Sequence, residues 1–147
     1  MPIVVQPPVV TMLIVLSAWL VHALLGPWPT LVQLPVWGGV LVVLGFSCMM
    51  WARILFTSRN TTLFVGRPSS QLVCDGPFRF SRNPMYVGVL VFLMGLALWV
   101  GTWPFYMAVP ITFLFLNFFH IPCEEALLRE LFGERYLAYS KEVRRWL

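Results

Sequence analysis

Charged side chains are scarce in this sequence, and none occurs in its first third. Asp, Glu, Lys and Arg make up 11% of the 147 residues, and the first of them is Arg53. An ordinary soluble domain carries about 25% charged residues. Because 59% of the chain is hydrophobic, it lacks the polar surface that a soluble domain needs. The composition therefore indicates an integral membrane protein, with residues 1–147 forming one domain.

Other features are also missing. The three cysteines are odd in number and too few for a disulfide framework, so we expect free thiols. No glycine-rich phosphate-binding motif follows a strand pattern, which argues against a soluble Rossmann-type cofactor domain. The N-terminus has no basic region before its apolar run. We therefore expect the first apolar segment to be retained and not cleaved as a signal peptide.

Four apolar stretches predict an all-α membrane fold. Each is close to the roughly 20 residues that a helix needs to cross a bilayer, and they lie at 9–25, 36–57, 85–101 and 105–121. All sixteen Asp, Glu, Lys and Arg residues lie in two blocks, 53–82 and 124–145. With four crossings both blocks fall on one side, together with an interfacial connection at 58–75. The arginines predict that this side, with both termini and the active site, is cytoplasmic.

The C-terminal block predicts further helices at the cytoplasmic surface. Pro122 suits either the first turn of a new helix or a kink in the fourth one. Gly133 suits the end of that helix. The segment "ERYLAYSKEVRRW" then predicts a second, amphipathic helix that continues to the end of the chain. Its aromatic and apolar stripe is typical of packing or of an interfacial belt, and consists of Tyr136, Tyr139, Val143 and Trp146.

Groups that can do chemistry gather at two places on this same side. The first is "GPFRFSRNPMY", residues 76–86, which combines cations, aromatic rings and a proline-fixed turn directly before the third helix. The second is "NFFHIPCEE", residues 117–125, at the end of the fourth helix. If that helix is continuous, Asn117, His120 and Glu124 share one face. Two adjacent carboxylates beside a membrane helix are costly unless paired or used, so the glutamate pair is a candidate site.

Simpler explanations exist for each of these groups. Arginines beside a membrane helix commonly mark topology and contact lipid headgroups. Glu124 and Glu125 lie in a first helical turn, where the dipole favours anions, and Glu125 is spaced to form a surface pair with Arg129. A lone His120 is more often a hydrogen-bonded interfacial residue than a catalyst. A metal site from His120, Cys123 and Glu124 matches no closed zinc pattern, so we predict no metal.

The order of the motifs resembles the isoprenylcysteine carboxyl methyltransferase family and the related membrane phospholipid methyltransferases. That family has an Arg-His/Asn-Pro-x-Tyr element before the penultimate membrane helix, a Glu-Glu pair after the last one, and closing "FG-x-x-Y-x-x-Y" and "V-x-R-W" patterns. The matching segments here are "RNPMY" at 82–86, "EE" at 124–125, "FGERYLAY" at 132–139 and "VRRW" at 143–146. The resemblance covers about residues 70–147, and it implies cofactor-site elements at 70–86 and 117–147.

The resemblance implies transfer of a methyl group from S-adenosylmethionine to a substrate that arrives through the membrane. By matching position, the implied cofactor-binding residues are Gln71, Leu72, Val73, Phe78, Arg82, Asn83, Tyr86, Glu124 and Glu125. An arginine can grip the cofactor carboxylate, a glutamate favours its positive groups, and an aromatic face suits adenine or the sulfonium. The implied catalytic residues are His120 and Glu124, which can assist an amine or thiol acceptor, whereas a carboxylate needs no base.

One position departs from the carboxyl methyltransferases. Where those enzymes have an arginine that engages the substrate carboxylate, this chain has His120, which binds an anion less strongly and only when protonated. A prenylcysteine, a lipid amine, a thiol and another small lipophile therefore stay open as acceptors. We expect membrane lipids and a lipophilic or lipidated substrate as partners, and no nucleic acid. The substrate would enter laterally between helices and the cofactor from the cytoplasm, and the oligomeric state is left open.

Two other functions stay open. A membrane reductase of the sterol-reductase type has a similar C-terminal pattern and binds NADPH, but such bundles are longer than 147 residues. The sequence also offers no obvious additional basic pocket for a 2′-phosphate. A small non-enzymatic scaffold would leave Arg82 and Glu124 facing lipid headgroups or a partner, with no enclosed cavity between them.

Overall fold

The computed structural model describes residues 7–58 and 72–147. Within these ranges the chain is helical, and the one β feature is an isolated bridge between Thr30 and Thr102. The helices are α1 (Pro7–Leu25), α2 (Pro35–Ser58), α3 (Pro84–Val100), α4 (Trp103–Phe115), α5 (Ile121–Phe132) and α6 (Glu134–Glu142). A 3-10 turn, Gly76–Arg79, precedes α3, and a π-helical turn, Leu116–His120, joins α4 to α5. The predicted all-α class is confirmed; most of the predicted interfacial connection lies outside the described residues.

Three helical segments are long and apolar enough to cross a membrane, namely Pro8–Leu25, Pro35–Leu55 and Trp103–Phe132. They contain the first and fourth predicted spans and all but the last two residues of the second. The third apolar helix, α3, has 17 residues and extends about 26 Å, slightly less than the hydrocarbon core of about 30 Å. A fourth crossing therefore stays a prediction. The 30-residue segment is about 45 Å long, which exceeds the thickness of the hydrocarbon core.

Helices α2 and α3 pack through two facing pairs of glycines, which we call the glycine seam. Gly38 lies against Gly95 and Gly45 lies against Gly88, so the helices run antiparallel. A Cβ atom on Gly45 would lie 2.6 Å from the Gly88 carbonyl oxygen, and one on Gly95 would lie 2.7 Å from the Gly38 carbonyl oxygen. Such close backbone contact excludes any side chain, and it is typical of membrane helices that pack through small residues.

The loops after α1 and α3 meet at one end of the bundle, which we call the uncharged end. Leu31 N–H donates to the Gly101 carbonyl at 2.8 Å, and His22 Nδ1 lies 3.0 Å from Thr102 Oγ1. Gly101 ends α3 in the left-handed region, with φ of 79°. Because these loops satisfy their polar groups with one another, this end needs no charged side chain.

The fourth apolar helix continues past Pro122 through the π-helical turn. Ile121 N–H donates to the Leu116 carbonyl five residues back, which is the hydrogen bond of a π turn. Proline lacks an N–H and its ring crowds the carbonyl four residues before it. The wider turn accommodates that ring, so Pro122 lies in the first turn of α5 while the chain stays helical from Trp103 to Phe132.

The end of the chain is not helical. Helix α6 ends at Glu142, and Val143 is extended, with φ of −115° and ψ of 132°. The prediction of a helix through Trp146 is therefore wrong. The reason is tertiary, because the Arg82 N–H donates to the Arg144 carbonyl at 2.9 Å and this bond joins the end of the chain to the segment before α3. We call residues 143–147 the C-terminal tail.

An apolar cleft of about 560 Å³ separates α1 from α4. Its walls come from α1 between Val10 and Val21 and from α4 between Trp103 and Ile111, with Trp28 at one end. None of its lining residues is titratable. The cleft can take up a hydrocarbon chain, but the groups capable of chemistry lie elsewhere.

Candidate active site

Six polar side chains meet at the end of the bundle opposite the uncharged end. One precedes α3 and one lies in its first turn; three come from the π turn and the start of α5; the last comes from the C-terminal tail. We call them the charged-end cluster: Arg82, Tyr86, His120, Glu124, Glu125 and Arg145. The continuous helix from α4 to α5 and the proline-initiated start of α3 fix five of the six positions.

Glu124 is the more open of the two glutamates. Its Oε1 accepts a hydrogen bond from the Tyr86 hydroxyl at 2.8 Å, and 23% of its side chain is exposed. His120 Nε2 lies 3.1 Å from the same oxygen, close enough for an ion pair but without the geometry of a hydrogen bond. The rings of Tyr86 and His120 meet edge to face at 5.7 Å. Glu124 therefore has a fixed orientation and still reaches solvent.

Glu125 is buried and held by arginines. Arg145 grips it with two nitrogens, Nη2 at 2.7 Å from Oε2 and Nε at 3.1 Å from Oε1, and Arg82 Nη1 lies 3.1 Å from Oε1. The hydrogen bonds to Glu125 raise the pKa of Arg145 above its ordinary value. The expected i, i+4 pair with Arg129 forms, with Arg129 Nη2 3.9 Å from Oε2, but it is not an ordinary surface pair, because the Glu125 side chain is only 7% exposed. A buried carboxylate needs such close counter-charges.

The C-terminal tail lies against the segment that precedes α3. The Arg145 carbonyl accepts hydrogen bonds from Asn83 Nδ2 at 3.0 Å and from Ser81 Oγ at 3.2 Å. These bonds add to the one between Arg82 N–H and the Arg144 carbonyl. The side-chain amide of Asn83, predicted to bind cofactor, is therefore engaged with the tail in this structure.

Asn117 faces the tail and not the glutamate. Its Oδ1 accepts a hydrogen bond from Trp146 Nε1 at 3.0 Å, and the Trp146 ring lies 5.1 Å from that of Phe113. Glu124 instead contacts α3. The expectation that Asn117 and Glu124 share a face is wrong, since the π turn between them changes the angular spacing of the helix.

The two tyrosines of α6 pack inward, as their spacing predicted. Tyr136 and Tyr139 are both buried, and burial raises the pKa of each phenol above its ordinary value. Both therefore stay neutral at physiological pH. The Tyr136 hydroxyl accepts a hydrogen bond from Arg82 Nη1 at 3.2 Å, and the Tyr139 hydroxyl donates to the Phe78 carbonyl at 2.7 Å. Helix α6 thus contacts Arg82 directly through Tyr136 and the segment before α3 through Tyr139.

The remaining predicted residues lie around this cluster in different ways. Val73 and Phe78 are buried in a small hydrophobic core with Ala52 of α2. Leu72 is half-buried, and Gln71 lies outside the described residues. The structure thus brings Arg82, Tyr86, His120, Glu124 and Glu125 together, and it places the side chains of Val73 and Phe78 in packing positions.

Two buried nitrogen atoms of the cluster have unused hydrogen-bonding capacity. Within residues 7–58 and 72–147, neither Arg82 Nε nor His120 Nε2 has a hydrogen-bond partner. Leaving such a group unpaired costs about 1–3 kcal/mol, so a ligand that pairs with them gains that amount. Glu124 offers an anionic contact and Arg82 Nε offers a hydrogen-bond donor to one molecule.

Arg145 is the residue that sequence reasoning missed. It was noted only as part of the closing "VRRW" pattern. The sequence does indicate that such a residue is needed, because a carboxylate buried beside a membrane helix requires a positively charged partner. The tail offers two arginines, and only the folded structure tells which of them turns inward.

Comparisons with known proteins identify the family to which the chain belongs. A family model described as phospholipid methyltransferase matches residues 34–135, which include α2 to α5 and the charged-end cluster except Arg145. A Haemophilus influenzae protein, described as an uncharacterized protein, is 40% identical over 63 residues, which are 43% of this chain and the whole of that protein. No solved structure matches the chain. Since the family model covers more than half of the chain, the protein belongs to the phospholipid methyltransferase family, a family of membrane methyltransferases.

Proposed function

We propose that this protein transfers a methyl group from S-adenosylmethionine to a lipophilic acceptor at the charged end of the bundle. One observation carries the proposal. The same cluster contains a partly exposed carboxylate, Glu124, and a buried guanidinium, Arg82, whose Nε has no hydrogen-bond partner within the described residues. The cofactor carries a carboxylate together with ammonium and sulfonium charges, so it needs contacts of both signs. The family supports the reaction class.

The residues present fit this cofactor. Arg82 can donate from Nε to the carboxylate, a contact that charge on both partners strengthens. Glu124 favours the positive groups, and the hydrogen bond from Tyr86 keeps its carboxylate turned toward the site. Glu125 acts through Arg82 in this assignment, because its own oxygens are taken by arginines. Gln71, Leu72, Val73, Phe78 and Asn83 stay proposed cofactor contacts from the family resemblance.

When bound, S-adenosylmethionine would supply an already electrophilic methyl group, which would pass to the acceptor's lone pair with S-adenosylhomocysteine as the leaving group. The chain mainly has to align the acceptor and exclude water. His120 can take the proton of an amine or thiol acceptor, and Glu124, 3.1 Å away, would stabilise the resulting imidazolium. The same glutamate would repel an anionic acceptor. We therefore favour a lipid amine or thiol over a prenylcysteine carboxylate.

The surroundings of the cluster suit an acceptor from the bilayer. His120 is the last residue of the π turn, directly after the exposed apolar side chains of Phe118 and Phe119. We propose that the acceptor approaches laterally from the membrane, while the cofactor enters from the cytoplasm. The excess of arginine at this end supports that orientation.

Calorimetric titration of the detergent-purified protein with S-adenosylmethionine and S-adenosylhomocysteine tests the proposal. We expect micromolar binding by the wild type and at least about tenfold weaker binding by Glu124→Gln, which loses one charged contact. Glu130→Gln is the matched control, since Glu130 is exposed on the same helix. If the folded wild type binds neither compound, the proposal fails. NADPH binding would then indicate a reductase, and no nucleotide binding would favour a scaffold.

A further inference from the structure

Arg145 of the C-terminal tail and Arg82 both contact the Glu125 carboxylate. Glu125 has two carboxylate oxygens, and Arg145 donates to both of them, from Nη2 and from Nε. Arg82 approaches the same carboxylate through Nη1, 3.1 Å from Oε1, and the same nitrogen donates to the Tyr136 hydroxyl. Arg145 thus contacts both oxygens of the carboxylate, while Arg82 Nε has no hydrogen-bond partner within the described residues.

We infer that Arg145 is a positioning residue for ligand binding, and that it acts by keeping Arg82 Nε available. The inference rests on the proposed function, in which Arg82 contacts an anionic group of the cofactor. Without the tail guanidinium, Glu125 would be a buried carboxylate with Arg82 as its close cation. Arginine and carboxylate then favour a two-point pair. Arg82 would pair with the two oxygens of Glu125 through Nε and Nη1, and its Nε would be lost to the ligand.

Backbone hydrogen bonds of the C-terminal tail determine the position of the Arg145 guanidinium. The tail backbone is fixed independently of the Arg145 side chain, because the Arg144 and Arg145 carbonyls accept hydrogen bonds from residues 81–83. Trp146 adds a contact to Asn117. The C-terminal tail, residues 143–147, thus connects three elements of the proposed site: the segment before α3, the π turn and α5. Removing the guanidinium alone leaves these other contacts in place.

The test is the affinity and stoichiometry of S-adenosylhomocysteine binding to Arg145→Gln, by calorimetry on the full-length protein in detergent. We expect the Kd to rise about tenfold, the equivalent of one charged hydrogen bond, while the number of binding sites per chain stays unchanged. Arg145→Lys keeps the charge but cannot donate to both oxygens, so its Kd should lie between those of the wild type and Arg145→Gln. Arg135→Gln removes an exposed arginine from α6 and should leave the Kd unchanged.

Two results would overturn this inference without touching the proposed function. In the first, Arg145→Gln binds with the wild-type Kd. In the second, its number of sites falls while the Kd stays unchanged, which indicates that Arg145 only holds the fold together. Failure of the proposed function looks different, because there the wild type itself does not bind, and the positioning role is then wrong as well.

Discussion

The glycine seam and the charged-end cluster hold the same bundle together by opposite means. In the seam, Gly45 and Gly88 have no side chains, and the backbones of α2 and α3 touch directly. In the cluster, long polar side chains from four parts of the chain converge on two carboxylates. Direct backbone contact gives a rigid pair of helices without any reactive group. Polar contacts cost desolvation and leave unpaired atoms, which a protein tolerates where a ligand uses them. We therefore interpret the glycine seam as scaffold and the charged-end cluster as the proposed site.

The largest expected effect comes from breaking the seam. A Cβ on Gly45 would lie 2.5 Å from the backbone nitrogen of Phe92, so Gly45→Ala forces α2 and α3 apart. We expect a loss of about 3 kcal/mol of stability, measured as thermal unfolding of the detergent-purified protein. Gly39→Ala is the control, because its Cβ would meet only the Trp99 ring at 3.4 Å. Equal stability of the two variants would contradict direct backbone contact in the seam.

The second effect separates the two glutamates. Glu125→Gln leaves Arg82 and Arg145 facing a neutral amide in a buried position, and we expect it to cost about 2 kcal/mol, less than a fully buried pair because Arg145 reaches water. Glu124→Gln should cost less than about 1 kcal/mol, since Glu124 is partly exposed, yet it should weaken ligand binding. Thermal unfolding and calorimetry on the same samples measure both properties. A destabilised Glu124→Gln beside a stable Glu125→Gln would reverse our assignment.

The smallest effect compares single hydroxyl groups at the two ends. Tyr139→Phe removes the buried hydrogen bond to the Phe78 carbonyl, and we expect about 1 kcal/mol of destabilisation. Tyr106→Phe removes a bond of the same length, to the Val32 carbonyl at the uncharged end. That bond is exposed, so water replaces it and the cost should be about half as large. Thermal unfolding again provides the measurement, and a costlier Tyr106→Phe would show that the uncharged end is the tighter one.

The sequence alone predicts the helices of this protein well, because its apolar runs are long and bounded by local signals. Pro84 begins α3, Gly101 ends it, and Gly133 ends α5. The motif order likewise predicts the meeting of Arg82 with the glutamates. Each of these signals is local or contained in the order of motifs along the chain.

Features that depend on packing between distant segments were missed or wrongly predicted. Spacing predicts a helix through Trp146, but hydrogen bonds to residues 81–83 extend the tail instead. The π turn, an effect of Pro122, moves Asn117 away from Glu124. The glycine seam depends on which faces of α2 and α3 meet, and no spacing within one helix determines that. The same is true of Arg145, whose partner lies 20 residues earlier in the chain.

The most direct test of the account is methyl transfer itself. Purified protein in lipid-containing detergent micelles would be incubated with S-adenosylmethionine labelled in its methyl group, and the label in the extracted lipid fraction would be counted. We predict label in lipids for the wild type and for Glu130→Gln, and a loss of at least about tenfold for Glu124→Gln. Folded wild type that binds the cofactor and labels no lipid would contradict a lipophilic acceptor. Equal labelling by Glu124→Gln would contradict the site.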